Sequence, residues 1–477
     1  MKKLKAGAIL LSAEWFSDIS YDTTADASAN ISQIVNQAVK DTVAVLEKHF
    51  EVVHPYPIAT KADVQAALHD FKSAQVDLFV ICSLIYSGDD TVIDILREMP
   101  NVPVLVWSYN RYKKLPNITH MNDYFSVTGA PGMLQFCAPL KRMGISYGFV
   151  LGVPGDETLD KEIADYAKAL EVKKRMQKLN ILSVGRRYEP MSGAWIDELK
   201  LKLRLGPKMV WLSAYEYGQA VQRLNKQRVR DFVDSQVALY ETEEITDEDL
   251  MAAAKASIAV YDLAKKYDCE VVSFQDMDEE IHDFIGCRPQ MSYQPMFDEG
   301  ISVGMEADID NALCTWIAHQ LSEGPSMYAE ILTYDEEENF LVIGHAAMHD
   351  LRLARSQQEI KLIPDLEFMF SDKYKGVWNA FVCKPGIVTL VSLFEDNDQY
   401  KFVVSTGECL DRPGCIRYNS QALVRVKAPI RKYMKSLMYT GVTQHFILCY
   451  GDIKQRVELL ARQLNIDYVD IDKVAEL

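Results

Sequence analysis

Positive charge is scarce in this sequence. Its 51 Lys and Arg face 68 Asp and Glu, a net charge of −17, and no basic stripe offsets the excess locally. A surface of that sign repels phosphate backbones, which argues against nucleic acid as a partner. Long apolar runs are also missing. The longest candidate, residues 78–86 (LFVICSLIY), falls well short of the roughly 20 residues a spanning helix needs, so no membrane partner is expected. Cysteine pairs are absent too: the nine cysteines are odd in number, scattered, and never in a CxxC. That pattern suits buried thiols in a reducing compartment, and a cytoplasmic location is the expectation. No GxGxxG or GxxxxGK[ST] occurs, which removes most support for nucleotide binding. Thr128-Gly-Ala-Pro-Gly132 reads only as a turn, because Pro131 lacks the amide a phosphate loop would need.

What is present is an ordinary globular composition, 48% apolar and 25% charged over 477 residues, enough for about three domains. The start, MKKLKAGAILLSAEW, has the basic opening and apolar stretch of a signal peptide. The stretch is short, however, and runs directly into Glu14, so it reads better as a first strand. Strand-like segments 6–13, 50–56, 78–86 and 102–109 then alternate with helical patterns, the first carrying Ile31, Ile34, Ala38 and Val45 on one face. Such alternation implies parallel pairing and ligands at the carboxyl ends of the strands. A charged helical connector over 155–180 precedes a second α/β section. From about Met327 the segments AEILTYD, FLVIG, GIVTLVSLFE and YKFVVSTGECL point to antiparallel sheet. The expected fold is α/β: two doubly wound parallel-sheet domains (1–178 and 179–326) followed by a β-rich domain (327–477) with closing helices.

The candidate chemistry lies in the second half. His345-Ala-Ala-Met-His349 has the i, i+4 spacing of a zinc helix but lacks the Glu of HExxH, and the preceding FLVIG makes His345 the end of a strand. Glu306 sits at the start of an apparent helix, where acids also gather for the dipole alone. Glu330 lies in a strand-like segment, where a solvent-facing acid is the plain alternative. His445 precedes the strand FILCY and could simply occupy a loop-to-strand junction.

Taken in order, these segments resemble one family. Asp298-Glu-Gly, Glu306-Ala-Asp308, Ala312-Leu313, Glu330 through Tyr334, Gly344-His345 and Gly441 through His445 are similar to the L-arabinose and L-fucose isomerases. Val184-Gly185, Gly129 to Gly132, Cys287 and Lys384-Pro-Gly386-x-x-Thr389 add to the likeness. The arabinose branch holds its metal with two Glu and two His, which the resemblance carries to Glu306, Glu330, His345 and His445. The fucose branch uses Glu, Asp and a late His, which leaves His345 the least secure of the four, with His349 as a competitor. The resemblance implies an aldose–ketose isomerase that works through an ene-diol by proton transfer between C1 and C2. Glu306 and Glu330 would be the acid/base pair and also ligands. Mixed carboxylate and imidazole donors fit Mn²⁺, or another divalent cation, better than a calcium cage.

The implied partner is a small sugar. The implied assembly is a homo-oligomer, trimer or hexamer, with active sites shared between subunits. Ala13-Glu14-Trp15 stands where the arabinose branch has Gln-His, so Glu14 is a candidate substrate contact and a changed substrate is credible. Met191 is another candidate, with Trp107, Arg186 and Arg187 as further pocket residues. Two alternatives stay open: a non-catalytic sugar-binding relative, and an isomerase of a deoxy or sulfonated hexose.

Overall fold

The computed structural model describes residues 3–14, 31–365, 374–417 and 419–476; Trp15 lies outside them. The chain divides into two compact units, Met1–Glu171 and Val172–Leu477, with the boundary inside the helix Glu157–Met176.

The first unit is built on a parallel sheet. Its strands are β1 (Lys5–Leu11), β2 (Glu51–Val53), β3 (Pro57–Ile58), β4 (Leu78–Ser83), β5 (Val104–Tyr109) and β6 (Tyr147–Gly152), in the order β2-β1-β4-β5-β6 with β3 beside β1. Strands β4 and β5 are buried throughout, which is why they read as unbroken apolar runs rather than alternating ones. The helix Ile31–His49 buries Ile31, Ile34, Ala38 and Val45 as its spacing foretold. Thr60 and Asp63 form a capping box at the start of Lys61–Ala74. Trp107 is packing rather than pocket: it is fully buried and donates its indole N–H to the Gly152 carbonyl at 3.0 Å.

Thr128 to Gly132 corrects the sequence reading. Gly129 opens the helix Gly129–Arg142 instead of a turn. A Cβ on Gly129 would collide with the Ser83 carbonyl, and one on Gly132 would come within 2.6 Å of Ser83 Oγ. These glycines let a helix end approach the tip of β4, a tertiary demand that looks like turn chemistry in sequence.

The second unit opens with β7 (Asn180–Val184), β8 (Lys208–Leu212), β9 (Glu241–Thr242), β10 (Val271–Phe274), β11 (Cys287–Arg288) and β12 (Ser302–Gly304). It continues with β13 (Ser326–Asp335), β14 (Phe340–Gly344), β15 (Lys361–Pro364), β16 (Lys375–Ala380), β17 (Gly386–Asp396), β18 (Gln399–Cys409), β19 (Gln421–Val426), β20 (His445–Tyr450) and β21 (Asp467–Asp470). A parallel sheet runs β12-β10-β7-β8, and a small mixed sheet runs β11-β16-β15-β9. The strands after Met327 are antiparallel as expected, but they do not form an open sheet. Their order β17-β20-β13-β14-β19-β18 closes through β18 pairing with β17, giving a barrel with β21 added in parallel outside the ring. Closure removes the free edges that long apolar strands would otherwise expose.

The helix Ile309–Ser322 joins the two architectures. It packs on β10 and β12 of the parallel sheet and on β13, β17 and β20 of the barrel. Ala312, Leu313, Cys314, Trp316 and Ile317 are all buried, so this helix is apolar nearly all round. The site forms at its N-terminal end.

Candidate active site

Three adjacent barrel strands supply one wall. Glu330 on β13 stands directly opposite His445, the first residue of β20, and directly opposite Gly344, the last residue of β14. Residues directly opposite share a face, so the ladder fixes Glu330 and His445 on the same side, with His345 one residue beyond β14. Tyr328, two residues before Glu330, lies on that face as well.

The other wall comes from the parallel sheet. Glu306 follows β12, and here the structure corrects the sequence reading of a helix-start acid. Asp308 is the N-cap, accepting from the Asn311 amide, and Glu306 lies before it in left-handed backbone, with φ 58° followed by φ 56° at Ala307. Two successive non-glycine residues in that region are held, not relaxed. The Glu306 amide donates to Asp276 Oδ1 at 2.9 Å, and the Ala307 amide to the Phe274 carbonyl at 3.0 Å.

Across the gap, His445 Nε2 is 3.1 Å from Glu306 Oε2, and His345 Nε2 is 3.9 Å from the same oxygen. One ligand atom from each of Glu306, His345 and His445 lies within 4.8 Å of the other two, the two imidazoles buried and the carboxylate partly exposed. Adjacent donors about 2.0–2.3 Å from a divalent ion are separated by about 3 Å and opposite ones by just over 4 Å, so the spacing fits a shared cation.

The outer partners fix which nitrogens face inward. His445 Nδ1 is 2.8 Å from Asp308 Oδ2 and 2.7 Å from the Tyr328 hydroxyl, which also lies 3.1 Å from the Met305 carbonyl. His345 Nδ1 is 3.1 Å from the Ala346 carbonyl. Each ring thus has an acceptor for an Nδ1 proton, leaving Nε2 for the site, the arrangement metal-binding imidazoles use. Burial alone would lower the His445 imidazole, but hydrogen bonds to Asp308 and Glu306 outweigh it and raise it to about 9. Burial pushes the Tyr328 phenol well above its ordinary range, keeping it a neutral donor. Gln444 also reaches the site, its Nε2 3.3 Å from Glu306 Oε2.

Of the remaining candidates, Glu330 is partly buried beside the trio but is not one of its three members. His349 turns away: its Nε2 is 2.9 Å from the His345 carbonyl, and burial lowers it to about 4. Met191 lies half-buried in the loop after β7, its amide donating to the Tyr188 carbonyl at 3.2 Å. In the same loop Arg186 pairs with Asp278, Arg187 stacks on Trp195 with its guanidinium 4.3 Å from the ring, and a Cβ on Gly193 would sit 3.7 Å from Thr443. Glu14 is exposed just past the end of β1 in the first unit. Sequence reasoning gave no role to Asp276, Gln290, Asp308, Tyr328 or Gln444. Only Tyr328 had a usable signal, its two-residue offset from Glu330 on a strand.

No family model matches the chain. It is similar to the sulfoquinovose isomerase of Alkalicoccus urumqiensis, 22% identical over 435 residues that cover 91% of this chain and 95% of that protein. The sulfoquinovose isomerase of Priestia aryabhattai is 23% identical over 424 residues, covering 87% and 90%. That of Clostridium sp. (strain MSTE9) is 21% identical over 394 residues, covering 78% and 81%. The chain is an enzyme, an isomerase of the aldose–ketose class. Among the described residues no helix is long and apolar enough to cross a membrane.

Proposed function

We infer that the chain interconverts a sulfonated hexose aldose and its ketose, using a divalent cation such as Mn²⁺ held by Glu306, His345 and His445, with Glu330 completing the set. The observation that carries this reading is the convergence of one carboxylate and two Nε2 atoms whose Nδ1 partners are already fixed. When bound, the ion supplies Lewis-acid stabilisation of the negative charge that develops across C1 and C2. The chain's own residues move the protons. Glu306 and Glu330 stand on opposite walls, and one removes a proton from the carbon next to the carbonyl while the other returns one to its neighbour. Buried Tyr328 and Asp308 hold His445 in place throughout.

The sulfonated substrate is supported by the names of the three relatives and by the loop after β7. That loop carries Arg186 and Arg187, and guanidinium groups are well suited to a planar-faced oxyanion. Met191 lies in the same loop and would line the sugar. The likeness to the L-arabinose and L-fucose isomerases supports the same chemistry and suggests a homo-oligomer in which Glu14 of one subunit approaches the sugar site of another. A panel of sulfoquinovose, glucose, arabinose and fucose, each assayed with Mn²⁺, tests the substrate. The reading expects sulfoquinovose to turn over with the highest kcat/KM. Preference for an unsubstituted aldose would return the substrate to the neutral sugars while leaving the isomerase standing.

A further inference from the structure

Behind the trio lies a buried polar network that the reaction does not touch. Asp276 follows β10, is completely buried, and uses both carboxylate oxygens. Its Oδ1 accepts the Glu306 amide at 2.9 Å, and its Oδ2 accepts Arg288 Nε at 2.9 Å and Gln290 Nε2 at 3.4 Å. Gln290 Nε2 also donates to the Ala346 carbonyl at 3.0 Å, the same oxygen that lies 3.1 Å from His345 Nδ1. One carboxylate therefore reaches Glu306 directly, and reaches the orientation of His345 through one glutamine and one carbonyl. Its charge is balanced locally by Arg288, itself 1% exposed, whose Nη1 lies 3.5 Å from Asp365.

A buried ion pair is poor evidence of stability, because desolvation offsets most of the attraction. Its retention here has a specific use. Glu306 and Ala307 hold left-handed backbone that only surrounding contacts can maintain, and Asp276 is the side chain that binds the Glu306 amide. We propose that Asp276 and Gln290 are positioning residues of the cation site, Asp276 setting the Glu306 backbone and Gln290 setting the His345 ring. The inference rests on the cation reading above.

The test is Mn²⁺ titration by calorimetry, without substrate, on chelator-treated wild type, Asp276→Ala and Gln290→Met. Outer partners of metal ligands are typically worth roughly 10- to 100-fold in affinity. The expected result is a Kd raised at least about 10-fold in Gln290→Met and further in Asp276→Ala, with native circular dichroism. Gln290→Met changes no charge and nearly keeps volume and so tests the Gln290 role by itself; if Asp276→Ala does not fold, Asp276→Asn, which keeps the volume, takes its place in the same titration. A folded Gln290→Met with wild-type Kd overturns the role of Gln290, and a folded Asp276→Ala with wild-type Kd overturns that of Asp276. A wild type that binds no divalent ion fails the cation reading itself, a different outcome from either.

Discussion

The two walls of the site are made by different means. On the barrel side, Glu330 and His445 sit opposite one another in a hydrogen-bonded ladder, and His345 continues a strand that pairs with Glu330's own. Register decides which face Glu330 and His445 occupy, and a one-residue slip would turn both outward; His345 lies just past the paired end of β14. On the sheet side, Glu306 has no ladder. Its place depends on two left-handed residues and a buried carboxylate behind them. The barrel wall is thus positioned by repetitive pairing and the Glu306 wall by a single strained turn, which makes the second the more fragile of the two.

Substitutions should reveal that asymmetry, beginning with Glu306 itself. Glu306→Gln removes a proton acceptor and the only carboxylate of the trio. Turnover should fall by more than the roughly 10²- to 10⁴-fold of a lost general base, and Mn²⁺ binding should be nearly abolished by calorimetry. Glu330→Gln should lose turnover by roughly 10²- to 10⁴-fold but weaken Mn²⁺ binding far less, because the three converging donors remain. Equal losses of affinity in both variants would erase the distinction between the walls.

Smaller effects separate support from chemistry. Asp308→Asn keeps the helix cap, since an amide oxygen can still accept from the Asn311 amide, but it withdraws the charge behind His445. Mn²⁺ affinity should drop roughly 10-fold, and thermal stability near neutral pH should fall as well, because buried His445 loses the partner that raises it. Ala307→Gly relaxes a left-handed residue and should stabilise the fold by about 1 kcal/mol in urea denaturation, while loosening Glu306 enough to weaken Mn²⁺ binding. Stabilisation with unchanged affinity would mean the turn needs no strain to hold Glu306.

The least effect is expected at Asp310, in the first turn of the helix that Asp308 caps. Burial, with Asp308 and Glu395 nearby, holds its carboxyl well above the ordinary range. The folded state therefore keeps a proton that the unfolded chain releases near pH 4. Its contribution is fully present below about pH 4 and is lost as pH rises toward the folded value. Asp310→Asn stays neutral throughout, so its melting temperature should match wild type near pH 4 and exceed it increasingly toward neutrality.

Much of the barrel wall could be read in the sequence because its information is local. A strand-like segment surrounds Glu330, an apolar strand runs straight into His345, and another begins at His445. Motif resemblance then ordered these segments along the chain. Barrel closure was not legible, since β17 pairing with β18 and β20 depends on which strands become neighbours, not on the pattern within any one. Nor was the Glu306 wall. Asp276 lies thirty positions from the amide it holds, and nothing in Glu306-Ala-Asp308 announces positive φ, which sequence usually marks with glycine. His349 shows the limit in reverse: the sequence left it competing with His345 as a ligand, and only the structure separates them, His349 turning onto the His345 carbonyl.

Stripping the protein with a chelator and following aldose–ketose interconversion before and after Mn²⁺ is restored would test the cation reading at its root. Activity should vanish on stripping and return with about one Mn²⁺ per chain, the ion count implied by the single trio found among the described residues. Full turnover in verified metal-free protein would contradict it, and would leave Glu306, His345 and His445 as a hydrogen-bonded cluster without a catalytic ion.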